Sequence, residues 1–246
     1  APMSLLDAPP APHHFSPEHV QFRDALRAWV AQEIAPHVNA WDEAEGFPRE
    51  LYARAAAMGL LGLGYDEAHG GTPADLFHHL ILSEELARPG CGGVAASLMS
   101  HTIGLPPVHR HGSAALRERV IPPVLRGERI AALAVTEPGG GSDVAALRTV
   151  AVRDGDDYLV SGEKVFITSG MRADLITVAV RTDPANRGPG GISALLVEAP
   201  ADRPVPGLAR TRLDKMGWWA SDTAHLRFDR LRVPAANLLG QEGQGF

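Results

Sequence analysis

The stretch Ala134–Asp143, AVTEPGGGSD, places a hydroxyl, a carboxylate and three consecutive glycines directly after an apolar run. Without a Cβ, a glycine lets another group approach the backbone closely, so the question is what approaches here. Phosphate is the first ligand to test. A dinucleotide-binding loop needs G-x-G-x-x-G between a strand and a helix of a βαβ unit, whereas Gly139, Gly140 and Gly141 lead through Ser142 and Asp143 towards another strand. A Walker-type loop needs Gly-Lys-Ser/Thr, and none follows. The glycines therefore belong to a different kind of site. A second hydroxyl, Thr168, ends the strand-like run KVFIT at Lys164–Thr168. Taken singly these residues are ordinary: Thr is a β-former, Pro-Gly a turn, and Ser-Asp a cap.

Other chemistry-bearing residues carry weaker signals. Cys91 is the single cysteine, which excludes an intrachain disulfide and suits a reducing compartment. Its PGCGG setting has no nucleophile signature, so it reads as a small buried hydrophobe. His78, His79, His101, His109 and His111 show no familiar ligand spacing, and no metal is expected. Glu84 and Glu85 read as solvated helix positions, Glu137 as a loop carboxylate and Glu242 as part of the last turn; none is assigned as a catalytic base. Trp218-Trp219 lacks the basic flanks of a nucleic-acid stacking platform and reads as a core or interface turn.

The elements that must position these groups change character along the chain. Ser16-Pro17 opens a helix in which Phe22, Leu26, Trp29, Val30 and Ile34 recur at helical spacing until Pro36. Further helices are predicted from Pro48 to Met58, from Thr72-Pro73 to Pro89-Gly90, from Val94 to His109, and from Ser113 to Pro122-Pro123. After Gly127 the period becomes that of strands: Ile130–Thr136, Thr149–Arg153, Tyr158–Gly162, Lys164–Thr168, Leu175–Arg181, Ile192–Glu198 and Thr223–Phe228. Gly155-Asp156-Asp157 is a hairpin signal. The fold class is therefore α+β, an N-terminal helical bundle followed by an antiparallel barrel or sandwich. The expected division is a loose Pro-rich tail at 1–15, a helical domain at 16–128, a β domain at 129–240 and the start of a link at 241–246.

Composition narrows the class further. With 246 residues, 45% of them hydrophobic and 21% charged, the chain has the balance of a globular protein of one large or two ordinary domains. A net charge of −6 and the lack of a basic run argue against nucleic acid, and no apolar window is long enough for a membrane span. The N-terminal segment lacks the pattern of a secretion signal. Lysine occurs only at 164 and 215, against many arginines and alanines, which fits a GC-rich bacterial genome; with the single cysteine and no secretion signal, the expected location is the bacterial cytoplasm.

Read in order, the motifs resemble the acyl-CoA dehydrogenase family. AVTEPGGGSDVAALRT is similar to its T-E-P-x-x-G-S-D middle-domain signature, and YLVSGEKVFITSG (Tyr158–Gly170) to its G-x-K-x-x-I-T-N/S-G segment. LDKMGWWASDTAHLRFDRLRVPAANLLGQEGQGF (Leu213–Phe246) resembles its closing strand pair and following turn, and RHGSAALRERVIPPVLRGERIAAL its helix before the β domain. The resemblance implies FAD between a helical domain, a β domain and a C-terminal four-helix bundle that has no counterpart in these 246 residues. It implies that Thr136 donates to the pyrimidine end of the flavin ring and that Thr168 bonds near N5. Phe166 stands where an aromatic, often Trp, lies against the ring, and Leu133, Val135, Gly141 and Ile167 supply further contacts. Ser142 falls where both cofactor and acyl-CoA are touched. The glutamate base is expected beyond Phe246. The implied reaction is α,β-dehydrogenation of an acyl-CoA to a trans-2-enoyl-CoA in fatty acid β-oxidation. An electron-transferring flavoprotein would be the acceptor and a homotetramer or dimer the assembly. A same-fold flavin monooxygenase or oxidase, and a non-catalytic flavin-binding subunit, are the alternatives.

Overall fold

The computed structural model describes residues 14–245; residues 1–13, which form most of the expected tail, and Phe246 lie outside the described residues. Two compact units emerge. One runs to Leu98 and includes Met216–Ser221; the other comprises Met99–Lys215 and the residues from Asp222 onward. The change from helical to strand period after Gly127 thus does not coincide with the division between units.

In the first unit, the Ser16 hydroxyl accepts the His19 amide at 3.3 Å and opens α1 (Pro17–Glu33), whose Leu26 and Val30 are buried. A short α2 (Val38–Glu43), unmarked by any periodic signal, precedes α3 (Glu50–Ala57). α4 (Leu76–Ala87) starts later than Thr72-Pro73 suggests, because Asp75 is the better cap: its Oδ1 accepts the Phe77 and His78 amides at 3.0 and 3.1 Å. The same oxygen takes His19 Nε2 at 3.0 Å and His78 Nδ1 at 2.8 Å, so one carboxylate ties together the first turns of α1 and α4. Sequence spacing could not show this group, since His19 and Asp75 lie 56 residues apart.

Glu85 corrects the expectation of a solvated face. It has no exposed surface and is held by Arg27 at 2.8 Å, Arg88 at 2.6 Å and Arg23 at 3.3 Å. Burial pushes the Glu85 carboxyl up, but the bonds and charges of Arg27 and Arg88 outweigh it and leave the group below its ordinary value. α5 (Gly92–Leu98) packs on the 216–221 loop, where a Cβ at Gly92 would lie 2.6 Å from the Trp218 indole nitrogen. Cys91 is buried beside it, its thiol raised chiefly by that burial, the opposite of an activated nucleophile.

The second unit begins with helices. The long helix predicted over Val94–His109 is broken into α5, α6 (His101–Gly104) and α7 (Pro106–His111); Pro106-Pro107, which lack amides, open the last of these. α8 (Ala114–Leu125) runs through Pro122-Pro123 rather than stopping there; its buried Leu116, Val120, Ile121 and Val124 offset the missing bonds. Gly104 explains why α6 lies directly on the sheet, since a Cβ there would be 2.7 Å from the Ala132 carbonyl carbon.

Eight strands follow: β1 (Ala131–Ala134), β2 (Val150–Asp154), β3 (Asp157–Thr168), β4 (Leu175–Arg181), β5 (Ile192–Glu198), β6 (Leu208–Arg212), β7 (Thr223–Pro234) and β8 (Leu238–Leu239). Their order is β6-β7-β3-β2-β4-β5-β8, with β1 beside β4. The pairing path is open, which removes the barrel and leaves the sandwich-like alternative. The halves β6-β7-β3-β2 and β1-β4-β5-β8 are joined by a single pair, Val150 with Arg181, and β1 approaches β3, and β5 approaches β7, without pairing. Two pairings, β1 with β4 and β2 with β4, are parallel, against the expected antiparallel pattern. The two separate strands expected at 158–162 and 164–168 are one, β3, bent by two register shifts against β7.

Replacing Glu85 by Gln is expected to lower the stability of the first unit by about 3 kcal/mol, because a cluster of arginines loses its buried counter-charge. The stabilisation from Glu85 is present above the ordinary glutamate pKa of 4.5 and is lost as pH falls through its lower folded value. Denaturant titrations from pH 7 to pH 3 should therefore show a shallower acid loss in Glu85→Gln than in the parent. Equal slopes would remove Glu85 from this role.

Candidate functional site

The two motifs meet at one point of main chain: Val165 N–H in β3 donates to the Thr136 carbonyl just past β1, at 2.9 Å. The residues on either side of Thr136 are held by a single buried cation. Lys164 Nζ donates to the Val135 carbonyl and to Glu137 Oε1, each at 2.9 Å, and its side chain has no exposed surface. Glu137 in turn accepts the Thr149 amide at 2.8 Å on Oε1 and the Arg148 amide at 2.6 Å on Oε2. Burial acts on both partners, raising Glu137 and lowering Lys164. For Glu137 the bonds from Lys164, Thr149 and Arg148 outweigh burial and the carboxyl sits below its ordinary value; for Lys164 burial outweighs Glu137 and the amine also lies below its own. With its oxygens engaged in this way, Glu137 is not placed to take a proton from a substrate.

The same contacts shape the glycine loop. Glu137 and Gly140 exchange main-chain hydrogen bonds at 3.0 Å and close the turn at its base. At the far end Arg181 donates to the carbonyls of Ala145 at 2.6 Å and Leu147 at 3.1 Å, and also to Asn186 and Gly188 of a neighbouring loop. Gly139, Gly140, Gly141 and Ser142 project between these anchors, all exposed. A Cβ at Gly139 or Gly140 would meet nothing within 4 Å, while one at Gly141 would come within 3.1 Å of Thr136 Cγ2. Among the described residues only the third glycine has a neighbour that a Cβ would crowd; the first two face open space.

Phe166 is the exposed residue between the motifs. β3 holds one more residue than β7 between Lys164 and Ile167, and in that bulge Phe166 adopts φ +61 with 68% of its surface exposed. A left-handed conformation costs a non-glycine residue about 1–2 kcal/mol, and such positions persist where surroundings over-determine them. Ile167 points into the core, so only its main chain is available to a ligand. Thr168 ends the strand opposite Thr223, partly buried, three residues beyond the Val165–Thr136 bond. The turn after it is rigid: the Asp222 carbonyl accepts the Ser169 amide at 3.0 Å, Asp222 Oδ2 accepts the Met171 amide at 2.7 Å, and Arg210 donates to the Gly170 and Ala173 carbonyls.

Two cavities flank this region. One of about 360 Å³ is lined by the glycine loop together with Leu147, Thr149 and Gly162. The other, of about 480 Å³ and largely apolar, is lined by Leu133 and Val135 of the β1 segment with Ile103, Thr177 and Ala179. The structure therefore gathers Val135, Thr136, Gly141 and the β3 bulge, leaves Ser142 at the open loop, and sets Leu133 towards the apolar cavity. Sequence reasoning missed the Lys164–Glu137 pair, Arg181, Arg210 and Asp222. Lysine at only two positions in a chain rich in arginine, one of them inside an apolar strand, was the available signal.

The profile for "Acyl-CoA dehydrogenase, N-terminal domain" matches residues 16–128, and that for "Acyl-CoA dehydrogenase, middle domain" matches residues 132–231. The chain belongs to the acyl-CoA dehydrogenase family and carries its N-terminal and middle domains. It is 41% identical over 233 residues to the mitochondrial long-chain specific acyl-CoA dehydrogenase of Sus scrofa, covering 94% of this chain and 53% of that one. An acyl-CoA dehydrogenase structure from Geobacillus kaustophilus superposes with a TM-score of 0.89 at 41% identity, covering 95% and 60%. A glutaryl-CoA dehydrogenase from Mycobacterium smegmatis, in complex with FADH2, superposes at 0.84 with 28% identity, covering 94% and 57%. The chain thus spans little more than half the length of the relatives it matches.

Phe166→Gly is expected to raise stability by about 0.5 kcal/mol, because relief of the left-handed cost exceeds the added backbone entropy of glycine. Thermal or denaturant unfolding measures it. A loss above about 1 kcal/mol would show that the ring is packed rather than held outward for something else.

Proposed function

We propose that this chain forms the flavin-facing part of an FAD-dependent acyl-CoA dehydrogenase that converts an acyl-CoA thioester into its trans-2-enoyl-CoA. The observation that carries this reading is the pairing of a threonine whose main chain is pinned with an outward aromatic. Thr136 has its carbonyl and both neighbours fixed, and Phe166 is held exposed in the adjoining bulge. A planar ring with polar edges fits such a surface, the aromatic meeting its face and the hydroxyls its rim. When bound, FAD supplies an acceptor for the β-hydrogen of the substrate as hydride.

The residues of the chain do the rest by placement. Thr136 donates a hydrogen bond to the pyrimidine edge, where a fixed donor favours the negative charge of the reduced ring. Thr168, at the end of β3 and braced by the Asp222 turn, bonds near the hydride-accepting edge. Leu133, Val135, Gly141 and Ile167 present main chain or apolar surface, and Ser142 with the unencumbered Gly139-Gly140 accommodates the close passage of cofactor and thioester. The α-proton goes to a carboxylate outside this set: Glu137 is engaged by Lys164 and two amides, Glu85 by arginines, and Glu242 accepts the Tyr158 hydroxyl. An electron-transferring flavoprotein as acceptor, a homo-oligomeric assembly and a bacterial cytoplasmic setting complete the reading. Among the described residues no helix is long and apolar enough to cross a membrane.

The protein as encoded should be yellow, and anaerobic acyl-CoA should bleach its flavin absorbance. Thr136→Val should weaken flavin binding about tenfold, the scale of one lost hydrogen bond to a charged or polar partner. A protein that binds no flavin, or whose flavin is indifferent both to acyl-CoA and to Thr136→Val, would overturn the assignment.

A further inference from the structure

We infer that Lys164 and Glu137 are positioning residues for the cofactor site, acting through Thr136 rather than by touching the flavin; this rests on the flavin reading above. The geometry points to it directly. Thr136 lies between two residues bonded to the same ammonium group, Val135 through its carbonyl and Glu137 through its carboxylate, both at 2.9 Å. Its own carbonyl is taken by Val165 N–H, the residue next to Lys164. The main chain on both sides of the threonine is thus referred to one buried point, and that point belongs to the strand that carries Phe166 and Thr168.

Glu137 extends the frame to the glycine loop. By accepting the Arg148 and Thr149 amides it brings the loop's return segment back to its origin, so a ten-residue excursion begins and ends on one carboxylate. A buried ion pair contributes little net stability, since desolvation of both groups offsets their attraction. A pair of apolar side chains could fill the same volume. What apolar side chains cannot do is fix a carbonyl and two amides in direction, because only hydrogen bonds have that angular preference. The pair therefore fits a role in geometry better than one in stability, with the Thr136 hydroxyl as the group whose direction matters.

A double-mutant cycle in the holoenzyme tests this. The variants are Thr136→Val, Lys164→Met, Lys164→Met with Glu137→Gln, and Lys164→Met with Thr136→Val. The readouts are the flavin dissociation constant, the reduction potential of the bound flavin, and the unfolding midpoint of the apoprotein. The charge-free pair Lys164→Met/Glu137→Gln guards against a single variant that fails to fold around an unpaired carboxylate. The expected result is that removing the pair weakens flavin binding about tenfold and lowers the potential in the same direction as Thr136→Val. Adding Thr136→Val to Lys164→Met should bring less than a further twofold loss, since both remove one interaction. Multiplicative losses in the combined variant, or a lower midpoint with unchanged affinity and potential, would overturn the proposal and leave the pair purely structural. If Thr136→Val alone changes neither affinity nor potential, Thr136 is not a flavin contact and the proposal falls with it; if the protein holds no flavin at all, the flavin reading itself fails, a result separable from the others.

Discussion

The buried pair of Lys164 and Glu137 is the constraint on which the candidate site depends. Its two charges are out of water, which is costly, and they are satisfied only because main-chain groups from two segments converge on them, Val135 from one and Arg148 and Thr149 from the other, while β3 supplies the lysine. Removing either partner would leave a buried charge without its counter-ion, so the segments are interlocked rather than merely adjacent. The end of β1, the middle of β3 and the return of the glycine loop are one object as a result.

Around that object the fold supplies rigidity in layers. Arg181 ties the outer flank of the glycine loop to carbonyls, Arg210 and Asp222 do the same for the turn after Thr168, and α6 presses on β1 through Gly104. Flexibility is left where the chain makes no demands of its own, at Gly139 and Gly140, and strain where an aromatic is turned outward, at Phe166. Unused backbone freedom beside a strained, exposed ring is the pattern of a surface shaped for a partner other than the chain itself. The proposed function fills that place with a flavin and an acyl thioester.

Much of this was legible in residue order. The capped helix at Ser16-Pro17, the hairpin at Gly155-Asp156 and the strands at Leu175–Arg181 and Ile192–Glu198 all fall where local pattern puts them, whereas β1 stops at Ala134, short of the Thr136 end expected for it. Local pattern failed where tertiary contacts decide. Asp75 rather than Thr72 starts α4 because two imidazoles and two amides meet on its carboxylate, and α8 continues through prolines because its apolar face is buried. The parallel pairings of β4 with β1 and β2 join strands far apart in sequence, which spacing between neighbours cannot reveal. Glu85 and Glu137 carry the same lesson in charge: each reads as a solvated or loop carboxylate until the cations that bury it come from elsewhere in the chain.

A crystal structure of the flavin-loaded protein tests the central claim most directly. The predicted result has the Thr136 hydroxyl within hydrogen-bond distance of the pyrimidine edge of the ring, Thr168 at the hydride-accepting edge, and the Phe166 side chain against its face. A ring bound elsewhere, with Thr136 and Thr168 both beyond hydrogen-bond reach of it, would contradict the assignment.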